Sequence, residues 1–422
     1  MRRFRRVSAG EPARRRTARD SAALAVGSGA NGLLAYLFFL ITTRALGAAA
    51  AAPVSVLWTY WSAAAAVLTF PLQHWVVRTL AAEGSEDTVA RSLARIWQAS
   101  LGLGLVTGLG SYLARDQLFH RGDALFPVML GAVTLGSCLT GLVRGGLSGR
   151  GRFSSTAVAM AGENALRVVL ALVAAAAGAT APAYGAALVA GSLMVLVWRS
   201  ALTFRREPGR PATGPHPFSI MSGIAGGSLI SQIVLTGSPV LLGLVGGRPR
   251  EVTAVFVALA VWRAPYLVAL GVTPQLTQLL TTRAVRGAGG LHSVRRLVTL
   301  FVIVAAAVAA VLGLSVLGPV LRAIFGSDVH LASSALALLG VGTSLALGSL
   351  CLLLVLLAYG RPRRATAGWL VAVAVAAVWA LAWQGGSLDR VVSTFVVAEA
   401  VAFVALLAMA GPPKGAPTPE PS

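Results

Sequence analysis

Apolar runs of about 20 residues recur along the whole chain, separated by short stretches in which arginine, glycine and proline collect. A helix needs about 20 such residues to cross roughly 30 Å of hydrocarbon, and only helices or closed barrels satisfy their backbone hydrogen bonds there. The pattern predicts twelve spans. Six lie in the first half, at 21–43, 53–77, 93–114, 124–143, 153–177 and 181–198. Six follow in the second, at 218–245, 252–282, 297–317, 331–358, 366–383 and 391–409. The longest polar connection between spans, about 199–217, separates the two sets. The domains expected are therefore a basic tail (1–20), a six-helix lobe (21–202), a linker (203–217), a second six-helix lobe (218–410) and a short tail (411–422). Short echoes between the halves, TVARSLAR at Thr88 and SVRRLVTL at Ser293, suggest parallel repeats about an axis along the membrane normal.

Composition agrees with a polytopic membrane protein. The chain is 56% hydrophobic and 12% charged, with a mean hydropathy of +0.77. Its net charge of +21 would point to nucleic acid in a soluble protein, but here the basic residues sit between apolar spans. When the connections alternate sides, the segments on the side of the termini carry 26 basic residues. The opposite side carries seven: Arg44, Arg115, Arg121, Arg248, Arg250, Arg322 and Arg390. This asymmetry predicts that both termini are cytoplasmic, that the first span is retained and not a cleaved signal, and that no nucleic acid is bound.

Enzyme chemistry is poorly represented. The only lysine is Lys414, so no Walker A loop exists. GSGANG at Gly27 matches a dinucleotide motif formally, but it lies within a span with no preceding strand, and its small residues read as helix packing. Cys138 and Cys351 fall inside spans, and the five histidines are scattered. Asp116, Asp123 and Asp328 read as solvated loop charges. The loops are too short for a catalytic domain, so the expectation is a non-enzyme without a cofactor.

Candidate chemistry lies in the ionisable residues within the spans, which are costly in hydrocarbon and normally face a cavity or one another. Glu163 and Arg167 are four residues apart in the fifth span, with the order and spacing of an intrahelical pair. The pair reads either as a lock for the first lobe or as a cavity lining in which Arg167 meets an anion. Arg263, in AVWRAPYLV, has no acid near it in sequence and is followed by Pro265 and Pro274, which interrupt the helix. It reads as an anion-binding group or as a side chain snorkelling to the interface. Glu399 stands in the twelfth span as a proton or cation carrier, or as a hydrogen-bonding group. Asn31, Gln73 with His74, Gln232, Gln275 and Gln278 place polar groups on the first, second, seventh and eighth spans.

Several stretches together resemble the multidrug, oligosaccharidyl-lipid and polysaccharide exporter (MOP) superfamily, especially its polysaccharide-biosynthesis branch of Wzx-type flippases. They are ITTRALGAAAAAPVSVLWTYWSAA, WVVRTLA at Trp75, VRGGLSGRGRFSSTAVAMAGENALRVVLAL, VFVALAVWRAPYLVALGVTPQLTQLLTTR and GPVLRAIFG. The resemblance implies an all-α fold like those of MATE and MurJ, with two six-helix lobes around a cavity lined by spans one, two, seven and eight. It implies alternating access and a polyprenyl-diphosphate-linked saccharide as substrate, and it places Arg263 on the cavity with Gln73, Gln232, Gln275 and Asn31; Arg167 and Glu163 are cavity candidates from the reading of the fifth span above. Glu163 and Glu399 are the ion-coupling candidates. The implied setting is a bacterial cytoplasmic membrane, with membrane lipids and a glycosyltransferase or polymerase as partners. A MATE-like small-molecule antiporter and a non-transporting scaffold of envelope biosynthesis are the alternatives.

Overall fold

The computed structural model describes residues 11–83, 86–206, 217–266, 269, 289–358 and 361–410. Among them every regular element is a helix. In the first half these are α1 (Glu11–Ala64), a π-helical turn (Ala65–Thr69), α2 (Phe70–Glu83), α3 (Asp87–Leu113), α4 (Arg115–Leu118), α5 (Leu125–Gly149), α6 (Phe153–Ala176), α7 (Ala181–Gly191) and a 3-10 segment (Ser192–Leu202). The second half has α8 (Pro217–Leu244), α9 (Pro249–Trp262), α10 (Gly289–Ser315), α11 (Leu317–Phe325), α12 (Ser333–Ala358), α13 (Pro362–Ala382) and α14 (Ser387–Met409). Each predicted span falls on a helix, except that most of the second half of the eighth lies outside the described residues. Eight helices among the described residues are long and apolar enough to cross a membrane, one of them the 52-residue stretch Gly29–Leu80 that carries the first two predicted spans.

Local chemistry sets the breaks. The chain turns within α1 at Gly47 (φ 73°, ψ 165°), a conformation that favours glycine, and a Cβ there would lie 3.3 Å from Asp328 Oδ2 of the other half. The sixth span begins as an α-helix and tightens into 3-10 turns over Ser192–Leu202, broken by a kink at Trp198. It lies directly against α5, because Gly136 and Gly146 leave room for Ser192 and for the Ala201 carbonyl.

The apolar core is distributed unequally along the bundle. Near the end that holds Arg44, Leu118, Val245 and Phe325, here called the distal end, one continuous cluster joins both halves. Phe38, Phe39 and Trp58 of α1 pack there with Val255, Phe256, Leu321 and Phe325, and the Phe39 and Phe256 ring centroids are 4.0 Å apart. Polar bonds cross between the halves at the same level. Arg44 Nε donates to the Ile324 carbonyl (2.7 Å) and its Nη2 donates to that of Ala323, while the Ser55 and Thr253 hydroxyls lie 3.3 Å apart. Toward the proximal end, where α1 begins and α14 ends, the described buried clusters each belong to one half. One is built on Trp75, Val76 and Leu142, another on Leu352, Trp369 and Leu406. Among the described residues, the buried apolar cluster that joins the two halves lies toward the distal end.

At the proximal end of the first half, Arg150 ties three segments together. Its Nε donates to Glu86 (2.8 Å) and its Nη2 to the Thr203 carbonyl (2.7 Å), while Glu86 also accepts the Arg205 amide (2.9 Å). The Arg150 hydrogen bond holds the Glu86 carboxyl below the ordinary glutamate range, against the opposing effect of partial burial. A lowered folded-state pKa contributes stability above the unfolded value, and that contribution is lost as pH falls through the folded value. Acidification from pH 7 to below 4.5 is therefore expected to lower the thermal midpoint, with this pair accounting for about 1 kcal/mol. Glu86→Gln should show a shallower acid dependence in a fluorescence melt, and an unchanged slope would exclude the pair as its source.

Candidate functional site

Arg263 marks the point where α9 stops. The helix ends at Trp262 and Arg263 is its C-cap, its amide donating to the Leu259 carbonyl (2.9 Å). Pro265 has no N–H with which to continue the ladder, so the interruption is written into the sequence. Tyr36 of α1 reaches across from the other half and donates its hydroxyl to the Ala260 carbonyl in the last turn of α9. The Trp262 indole is anchored on the Leu336 carbonyl (3.0 Å). The helix end is thus held on both sides.

The guanidinium itself is not held. Arg263 is half-buried, yet its Nε and Nη2 are enclosed with no hydrogen-bond partner among the described residues. Glu399 of α14 is fully buried, and neither of its carboxyl oxygens has a partner among the described residues. The two side chains lie within electrostatic range of one another, together with Tyr36 and Tyr266, but they form no ion pair. Tyr266 accepts a hydrogen bond from the Gln232 amide (3.1 Å). The structure therefore brings together Arg263, Glu399 and Gln232 from the sequence candidates and adds Tyr36 and Tyr266. Those tyrosines were hidden by their aromatic character, which in an apolar run reads as core. Gln275 and Gln278 lie outside the described residues, as does Pro274.

A second polar cluster fills the first half, and it corrects the intrahelical pairing expected from the sequence. Glu163 pairs across helices, not along its own. Its Oε2 takes the Arg144 Nη2 in an ion pair and its Oε1 accepts the Thr140 hydroxyl (2.7 Å), both from α5. Arg167 is completely buried and directs Nε to the Leu188 carbonyl (3.0 Å) and Nη1 to Asn164 Oδ1 (2.6 Å), with its guanidinium 4.3 Å from the Trp61 ring centroid. A Cβ on Gly191 would overlap its side chain, so that glycine makes room for it. Asn164 in turn donates to the carbonyl and Oδ1 of Asn31, each at 3.0 Å. Arg167 thus braces α6 against α7 and, through Asn164, against α1. Gln73 is half-buried on α2 beside Gly145, and His74 is exposed. Arg144 was missed because VRGG reads as the start of a cytoplasmic loop, whereas α5 continues to Gly149 and carries Arg144 inside.

No protein-family model matches the sequence, and no curated protein resembles it at the sequence level. Solved structures do match over most of the chain. A multidrug-resistance MATE-family transporter of the MOP superfamily, in an inward-facing conformation, superposes with a TM-score of 0.67 at 18% identity, covering 90% of this chain and 93% of that one. The lipid II flippase MurJ in an inward closed conformation gives 0.62 at 13% identity, covering 92% and 87%. The chain shares the fold of these two transporters. An outward-facing MATE-family transporter of that superfamily gives a lower TM-score, 0.56 at 19% identity, covering 93% and 94%.

Proposed function

We propose that this protein is a membrane transporter that moves a lipid-linked saccharide precursor, carried on a polyprenyl diphosphate, across a bacterial cytoplasmic membrane by alternating access, for envelope or exopolysaccharide assembly. Residues 21–202 and 218–410 are the two lobes in this reading, 203–217 the linker, and the proximal end faces the cytoplasm with both termini. One observation carries it. Arg263 presents enclosed, unsatisfied guanidinium N–H groups at a helix break between the lobes, and such groups suit an oxyanion. Gln232 and Asn31 supply polar groups on spans seven and one. The Glu163 and Arg167 cluster holds the first lobe in shape, and Glu399, the unpartnered carboxyl, is the coupling group of the two acids.

Arg263→Ala is expected to lower delivery of labelled lipid-linked precursor to the outer leaflet at least tenfold, at equal protein level, with the leaflet assigned by an impermeant probe. A scaffold would keep delivery intact, so undiminished transfer would refute this reading. A second reading, a small-molecule antiporter, is favoured by Glu399, a buried carboxyl suited to a cation. It predicts export of cationic dyes that is lost in Glu399→Gln and retained in Arg263→Ala.

A further inference from the structure

Arg263 and Glu399 are complementary in a way that the single state described here leaves unused. The two unpartnered nitrogens, Nε and Nη2, carry the parallel N–H bonds along one edge of the planar guanidinium, the edge that grips two oxygens of one acid centre at once. Glu399 offers two oxygens on one centre, both buried and both without a donor. The Tyr266 hydroxyl accepts from the Gln232 amide and gives Glu399 no hydrogen bond. A buried carboxyl and an enclosed guanidinium edge, each left unpaired, are costly for a protein to hold, so they are not kept for the stability of this state.

We propose that Glu399 is the internal competitor of the transported oxyanion for the free edge of Arg263, an inference that rests on the anion-carrying function above. With substrate bound, the Nε–Nη2 edge takes two non-bridging oxygens of its phosphate or diphosphate group and Glu399 is displaced. With the site empty, the same edge closes on the Glu399 carboxylate. Arg263 is free to make this exchange because it caps a broken helix and is not embedded in a continuous one. The exchange has two consequences. The empty carrier reorients with its buried cation neutralised, and release is aided because a counter-ion waits within reach of the departing anion. The occupant it selects is a phosphate-type oxyanion, either free or attached to a lipid.

The test uses the full-length protein in lipid nanodiscs at pH 7, with inorganic diphosphate as the free probe and farnesyl diphosphate as the lipid-attached one, each titrated by calorimetry. Glu399→Gln is expected to bind at least tenfold more tightly than the wild type, since the amide cannot compete as an anion. Glu399→Met provides the same comparison if the glutamine variant does not purify as a monodisperse species. Arg263→Gln should weaken binding at least tenfold in both backgrounds. Tighter binding of farnesyl diphosphate would support competition with a lipid-attached anion, and equal binding of the two probes would support competition with a free one. Unchanged or weaker affinity in both Glu399 variants, with Arg263→Gln still damaging, overturns the competition and leaves the anion site standing. Loss of the Arg263 effect, or no binding of either probe by wild type and Glu399 variants alike, overturns the anion site itself.

Discussion

Glu163→Leu is expected to destabilise the protein by about 3–5 kcal/mol, the cost of leaving a buried guanidinium without its counter-charge. The Arg144 and Glu163 side chains are only 6% and 2% exposed, so water cannot replace the lost carboxylate. Thr140 would lose its acceptor as well. Arg144 is poorly placed to find another partner, since its Nε already has none. Removing both charges has a different outcome. The double variant Arg144→Met/Glu163→Leu fills similar volume with apolar groups and should recover most of the loss, because a buried pair contributes little beyond its apolar equivalent. Unfolding in detergent, followed for the wild type, both single variants and the double, measures the coupling. A Glu163→Leu protein within about 1 kcal/mol of wild type, or a double variant no better than the single, would contradict this account.

What the sequence made legible follows from which interactions are local. The spans were readable because the apolar runs must match a bilayer thickness, and each connection is marked by arginine, glycine or proline. Arg263 and Glu399 stood out for the complementary reason, as lone charges in apolar runs, and both are where polar groups remain unsatisfied in the fold. The partner of Glu163 was not legible. Spacing along one helix favoured Arg167, four residues away, yet the ion pair forms with Arg144, 19 residues back on an antiparallel neighbour. An arginine at a span end cannot be assigned to water or to the interior without knowing how far the helix runs. Contacts between the halves were equally hidden, since Tyr36 and Ala260 are 224 residues apart and Arg44 and Ile324 are separated by 280. The sequence marks both ends of such contacts as ordinary: an aromatic in an apolar run, an arginine at a span boundary.

If the protein alternates access as proposed, Arg44→Ala is expected to shift the balance between its two faces toward the distally open one. Arg44 stands at the end of the first span and donates two hydrogen bonds to the carbonyls of Ala323 and Ile324, in the last turn of α11. Those carbonyls lack helical partners and carry the negative end of the helix dipole, where a cation is most favourable. The bonds join the two halves across the distal seal, so they exist only while that seal is closed. Arg44 and Ile324 are solvent-exposed, and water can replace the lost donors, which limits the loss to about 1–2 kcal/mol. For a carrier whose two states lie within a few kcal/mol, that changes their ratio by roughly 5- to 30-fold. Stability against global unfolding should change little, because the apolar core built on Phe39, Trp58 and Phe256 remains. Spin labels at Asp116 and Ser327, exposed positions at the distal end of the two halves, in a background with Cys138 and Cys351 replaced, report the seal by double electron–electron resonance. Arg44→Ala should add a longer-distance population that the wild type lacks. If the two distance distributions coincide, the seal is held by its apolar core alone and the arginine has no part in setting which way the protein faces.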